Sequence, residues 1–221
     1  MNRFRNVETA ESLRGLGLLG LLSAAEVMQL TSLADDPGLD ACLAQAETLH
    51  VHVKVEDTGA LPATDLAAAG ATLDHGREGF VKYRLPGGLN AIFSHVPVSD
   101  DDLAEPASAR RRRPFLDHIG VDMRSTEAAS RSAFESVPGL AAARRWRTVS
   151  QGGAGGPVRC CHVEVLEKLW LFPSAPGARP IELAFGPLRQ NESGYGCDLR
   201  PAAEPAAKAC CAARADAESQ A

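Results

Sequence analysis

Two stretches of the chain alternate apolar and polar residues in the same way. In Leu49-His50-Val51-His52-Val53-Lys54-Val55-Glu56, His50 is followed by apolar residues at +1, +3 and +5, and Asp117-His118-Ile119-Gly120-Val121-Asp122-Met123-Arg124 repeats the pattern from His118. A period of two marks a strand with one buried face, and strict alternation sets each His on the face opposite those apolar neighbours. Two strands that begin alike, this far apart, point to two copies of a small α/β module within one domain.

The rest of the pattern fills in around them. Residues 6 to 33 read as helix, broken where Ser23 and Glu26 form a capping box ahead of Val27, Met28, Leu30 and Leu33, and Asp35-Asp36-Pro37-Gly38 stops it. After the first His strand, a short stretch from Leu61 to Gly70 stands where a module helix belongs. Strands are predicted from Phe80 to Leu85 and from Asn90 to Val98, joined by the turn Pro86-Gly87-Gly88. The second copy runs through a strand over 116 to 123 and a helix from Ser125 to Arg145 with Phe134, Val137 and Leu140 inward. Strands over 158 to 165 and 168 to 173 follow, and a last strand ends in Pro180-Ile181-Glu182-Leu183-Ala184-Phe185-Gly186.

Composition changes this picture little. The chain has 221 residues, 45% hydrophobic and 23% charged, enough for one ordinary domain that needs no metal to fold. A net charge of -5 gives no global electrostatic reason to bind nucleic acid or an anionic membrane. The basic run Arg110-Arg111-Arg112-Arg113 reads as a solvated linker. The apolar run Leu16 to Leu22 is interrupted upstream by Glu8 and Glu11 and is too short to span a membrane, so it reads as periodic helix rather than a signal segment. Six cysteines, including the adjacent pairs Cys160-Cys161 and Cys210-Cys211, read as reduced thiols of a cytoplasmic protein. The glycine-rich run 151 to 157 precedes a strand rather than a helix, which argues against a dinucleotide site.

The chemistry gathers on the repeated strands. Two imidazoles and one carboxylate, with further positions open, make the facial triad of non-haem Fe(II) enzymes, and His50, His118 and Glu182 are the candidates. Each His alone has a plain explanation as a hydrogen-bonded strand residue; their equivalent placement is what raises the set. His52 competes on the same face as His50, and His95 is a candidate fourth ligand. Cys160 and Cys161 are either small buried hydrophobes or a soft pair that binds a metalloid or attacks an electrophile. His162, Tyr195 and Tyr83 are candidate general acids or hydrogen-bond donors beside the site.

On these residues the chain resembles the vicinal oxygen chelate superfamily, which includes glyoxalase I, extradiol ring-cleaving dioxygenases and carbon–arsenic lyases. The resemblance covers about residues 48 to 187 and rests on the duplicated His strand, the Cys160-Cys161 pair followed by Lys168 and Trp170, and Ile181-Glu182. It implies an α+β fold of two tandem βαβββ modules forming a curved mixed sheet around a metal cleft, with an N-terminal helical extension. The divisions expected are 1–47 extension, 48–99 first module, 100–114 linker, 115–187 second module and 188–221 tail. Ligands would come from the first strand of each module and the last strand of the second, where His50, His118 and Glu182 fall. Two departures stand out: Pro173-Ser174-Ala175-Pro176-Gly177-Ala178-Arg179 replaces the family's Asp-Pro-Asp-Gly turn, and no carboxylate occurs between Lys82 and Ser99.

The implied function is that of a dioxygenase or O2-dependent lyase using Fe(II) on a small bidentate aromatic or organometalloid substrate. The alternatives are a glyoxalase-like isomerase or thiol transferase with Mn2+, Ni2+ or Zn2+, and a metal-free protein that binds a small ligand or metalloid. An interaction scaffold using the N-terminal extension is a third class. A small-molecule substrate, no nucleic acid, no membrane and a homodimer are the expected partnerships.

Overall fold

The computed structural model describes residues 5–77, 79–95, 114–123, 127–153, 158–159, 163–186 and 189–190. Five helices and eleven strands lie within them: α1 (Val7–Leu18), α2 (Ala24–Ala34), α3 (Asp40–Ala44), β1 (Thr48–Val55), α4 (Ala63–Ala68), β2 (Thr72–Arg77), β3 (Phe80–Arg84), β4 (Leu89–His95), β5 (Phe115–Met123), α5 (Ala128–Ala143), β6 (Arg147–Gly152), β7 (Val158–Arg159), β8 (Val163–Val165), β9 (Glu167–Phe172), β10 (Ile181–Phe185) and β11 (Arg189–Gln190).

Eight of the strands form one open, curved mixed sheet in the order β2-β3-β4-β1-β5-β10-β9-β6. The halves of that order mirror each other. In each module the first strand pairs in parallel with the last, β1 with β4 and β5 with β10, and the two first strands join antiparallel at the centre. Two βαβββ units related in this way match the architecture implied by the resemblance. β7, β8 and β11 make a separate small sheet, so the expected strand over 158 to 165 is two short pieces.

One face of the large sheet is apolar. Leu49, Val51, Val53, Ile119, Val121, Leu183 and Phe185 point into a core completed by Phe134 and Val137 of α5. The first module has only the six-residue α4 to cover its share, and the N-terminal extension makes up the difference. Leu13 and Leu16 of α1, Leu30 and Leu33 of α2 and Leu43 of α3 all bury in that core, each worth about 1.5–3 kcal/mol against solvent exposure. α2 begins at the expected capping box, with Ser23 and Glu26 exchanging hydrogen bonds. α1 docks on the β3–β4 turn, where Thr9 and Ser12 donate to the carbonyls of Gly87 and Pro86; Gly87 has φ +77° and a Cβ there would meet the Thr9 backbone at 2.5 Å.

None of the described helices is long and apolar enough to cross a membrane. Cys42, buried in the core, has its thiol pushed up to about 12 by burial, which makes it inert.

Candidate metal centre

The opposite face of the sheet is polar and buried. On β1 the residues alternating with the core are Thr48, His50, His52 and Lys54, and each of the last three is at most 5% exposed. The register carries this row across the sheet. His50 lies opposite Gly120, Gly120 opposite Glu182, and Glu182 opposite Trp170.

Gly120 is what lets the row close. The His50 ring folds over it, so closely that a Cβ at position 120 would stand 1.8 Å from Cε1 and 1.9 Å from Nε2. His50 Nε2 thereby comes to 3.4 Å from His118 Nε2, and Glu182 Oε2 to 3.5 Å from the same His118 atom. Donors bound about 2.0–2.2 Å from one ion sit roughly 3–3.4 Å apart, so each of the two contacts to His118 Nε2 is near the spacing of atoms that share a cation. The three residues singled out in the sequence are therefore together, at 1%, 4% and 2% exposure.

Each donor is held by a partner. Asp117 Oδ2 takes a 2.8 Å hydrogen bond from His118 Nδ1, which assigns the proton to Nδ1 and leaves the Nε2 lone pair facing His50 and Glu182. Burial pushes His118 below its ordinary pKa despite Asp117, so the ring is neutral. Burial acts on His50 in the same sense, but Asp122, 3.6 Å from Nδ1, outweighs it together with Glu182 and leaves His50 above its ordinary value. Lys168 Nζ binds Glu182 Oε1 at 2.7 Å, fixing the carboxylate with Oε2 toward His118. Trp170 stands edge-on to His118 with centroids 5.2 Å apart, its Nε1 donating to Gln151. Two imidazoles and a carboxylate buried on one face are a donor set of the type that takes a divalent ion.

Asp117 is where alternation misleads. A bulge between the pairs His52–His118 and Val53–Leu116 leaves Asp117 without an opposite residue on β1. Leu116 consequently faces the core while Asp117 bonds to the ring of His118. His52, Asp117 and His118 also form a tight group, with ligand-type atoms all within 4.8 Å. Within it Asp117 accepts from His118 Nδ1, and outside it His52 Nε2 is 2.8 Å from Ser94 Oγ, which also accepts from Lys54. His52 packs on His118 at 4.9 Å between centroids, and the group is itself a candidate His/Asp/His metal site beside the triad.

Other candidates do not join it. His95 alternates to the face opposite Ser94 and hydrogen-bonds the Glu56 carbonyl, beside a 510 Å³ pocket that Asp57 and Val81 help to line. His75 lies in β2. Tyr83 is in the core against Phe93. Cys160, Cys161, His162, Tyr195, Cys210 and Cys211 lie outside the described residues, as does the Arg110–Arg113 run. Sequence reasoning missed Asp117, Gly120 and Asp122; the Asp-His dipeptide was the available signal for the first.

No protein-family model matches the chain, and no curated protein matches it. Similar solved structures include methylmalonyl-CoA epimerase from Mycobacterium tuberculosis, 17% identical and covering 64% of this chain and 89% of that one at a TM-score of 0.36. An extradiol ring-cleaving dioxygenase from B. fuscum is 13% identical, covering 68% of this chain and 36% of that one at a TM-score of 0.39. A glyoxalase/bleomycin resistance protein/dioxygenase superfamily member from Vibrio splendidus is 11% identical, covering 62% and 97% at a TM-score of 0.32. The architecture described above rests on the strand order and the repeated module.

Proposed function

We propose that the protein is a divalent-metal enzyme in which His50, His118 and Glu182 hold the ion. Its reaction in this reading is O2-dependent, a ring cleavage or a carbon–metalloid lysis on a small bidentate substrate. The observation that carries it is the meeting of two imidazole Nε2 atoms and one carboxylate Oε2 at 3.4 and 3.5 Å. Three protein donors leave positions for substrate and O2 on an ion such as Fe(II), which when bound supplies Lewis acidity and electron transfer.

The chain's own part is to hold and orient. Asp117 keeps the proton of His118 on Nδ1, so that Nε2 stays a lone pair. Lys168 occupies Oε1 of Glu182 and so presents Oε2. Trp170 and the rows beside it keep water from the donors, which strengthens every charge interaction at the site. The same donors with Mn2+, Ni2+ or Zn2+ would support isomerisation or thiol addition.

One observation favours a metal-free reading. The Lys168 ammonium at 2.7 Å already neutralises Glu182, and a proton on the raised His50 can bridge to His118. The protein would then be a small-ligand binder. Elemental analysis of protein purified without chelator, with oxygen uptake on a panel of catechols and organoarsenicals, separates the readings. Iron near one per chain and O2 consumption are expected; turnover under strict anaerobiosis would overturn the O2-dependent reaction, and full-length protein with no affinity for any divalent ion would overturn the metal centre.

A further inference from the structure

The N-terminal extension stands outside the two modules, yet one of its carboxylates reaches the strand that carries His118 and the segment that leads into the strand of Glu182. Glu26 is 6% exposed near the start of α2. Its Oε2 accepts from the Ser23 amide at 2.8 Å and from Ser23 Oγ at 2.9 Å, closing the capping box. Oε1 does something a capping box does not require. It accepts from the Leu116 amide at 2.8 Å and from Arg179 Nε and Nη2 at 3.2 and 3.0 Å.

Both partners sit at sensitive places. Leu116 is the last residue before the bulge that turns Asp117 onto His118. Arg179 ends the segment that replaces the family's turn ahead of Glu182. Gln29, one turn further along α2, binds Arg179 twice, donating to its carbonyl at 2.9 Å and accepting from its amide at 2.8 Å. The next carbonyl, of Pro180, accepts from the Ile119 amide at 3.0 Å. The helix thus sets the relative register of β5 and β10 from outside the sheet.

Resting on the metal reading above, we propose that Glu26 is a positioning residue for the centre: through Leu116 and Arg179 it holds His118 and Glu182 in register, and the extension is part of the site's framework. Burial alone would raise the Glu26 carboxyl, and the Ser23 and Leu116 amides with Arg179 outweigh it, so the group is a charged acceptor at neutral pH.

The test compares Glu26→Gln with Ser23→Ala in the full-length chain. Glu26→Gln turns an NH2 toward one of the donors and removes the anion paired with Arg179; Ser23→Ala removes a cap while leaving the clamp. Titration with Co2+ reads affinity, and the Co2+ absorption bands read ligand geometry. Glu26→Gln is expected to weaken Co2+ about tenfold and shift the bands, whereas Ser23→Ala lowers Tm with wild-type affinity and bands. Wild-type binding and spectrum in Glu26→Gln, or equal weakening in both variants at equal loss of Tm, would overturn the assignment. Should the wild type take up no Co2+, the metal reading fails, and the Glu26 role is decided on metal-free protein by the ring 15N shifts of His118. A change in Glu26→Gln alone upholds it, and shifts identical to wild type overturn it.

Discussion

Gly120→Ala should empty the centre while leaving the sheet standing. The new Cβ would lie 1.8 Å from His50 Cε1, 1.9 Å from Nε2 and 2.3 Å from Nδ1. Carbon atoms in contact sit about 3.5–4.0 Å apart, so the ring must retreat by roughly 1.5–2 Å. A metal site tolerates only about 0.2 Å in ligand distance, and His50 is then lost as a ligand. Affinity should fall by more than the roughly 10–100-fold that losing an outer partner costs. Overpacking a core position costs about 1–3 kcal/mol, which at about 2–4 °C per kcal/mol for a chain of this size lowers Tm by about 2–12 °C. Isothermal titration with Fe(II) or Mn2+ beside a calorimetric melt measures both. Wild-type metal affinity in Gly120→Ala would show that His50 is no ligand.

Glu182→Gln keeps the shape but removes the anionic donor and strands the buried Lys168 ammonium, so metal content should fall sharply with a loss of stability; a wild-type metal-to-protein ratio would refute the triad. Asp117→Asn removes the charge that holds His118 in its Nε2-donor tautomer and should weaken metal about 10–100-fold at nearly unchanged Tm, read by the same titration. Gly139→Ala, on an exposed turn of α5 with nothing within 4 Å of the new methyl, should stabilise by about 0.5–1 kcal/mol with metal affinity unchanged, seen in a melt. Glu26 and Asp36 are both held below their ordinary values despite burial, Glu26 by amide donors and Arg179, Asp36 by Arg144 and the Leu39 amide. Their stabilisation is complete above the ordinary carboxylate range and is lost as pH falls below about 4.5 and 3.8 respectively through the folded-state values. Glu26→Gln and Arg144→Gln should therefore flatten the acid limb of a Tm-against-pH curve; an unchanged limb would refute the assignment.

The centre of the fold was legible because it is where burial is most complete. β1 and β5 carry β-branched and apolar residues at every second position, and their outward His residues break the pattern in the same place. The edges were not legible. β2, Thr72–Arg77, and β6, Arg147–Gly152, each have only one strand neighbour in the large sheet and lack apolar alternation, so nothing in period or propensity separates them from loop. The covering role of α1 to α3 was equally hidden: their apolar stripes show that they bury a face, and only the brevity of α4 shows which surface needed it.

At the site, legibility stopped at the bulge. Alternation counts two residues per repeat along one strand, whereas a bulge is a property of two strands: one extra residue on β5 lies between two residues paired with β1, one of which also donates to Glu26. The inserted position turns Leu116 to the core and leaves Asp117 beside the ring of the adjacent histidine. A chain without the bulge, of the same composition, would set Leu116 and His118 on one face and Asp117 on the other, with an apolar side chain beside the donors and a carboxylate in the core. The carboxylate in the core would carry the full cost of an unpaired buried charge. The Asp-His adjacency thus makes sense with the bulge, and the residue beside the bulge is bonded by a helix some ninety residues earlier in the chain.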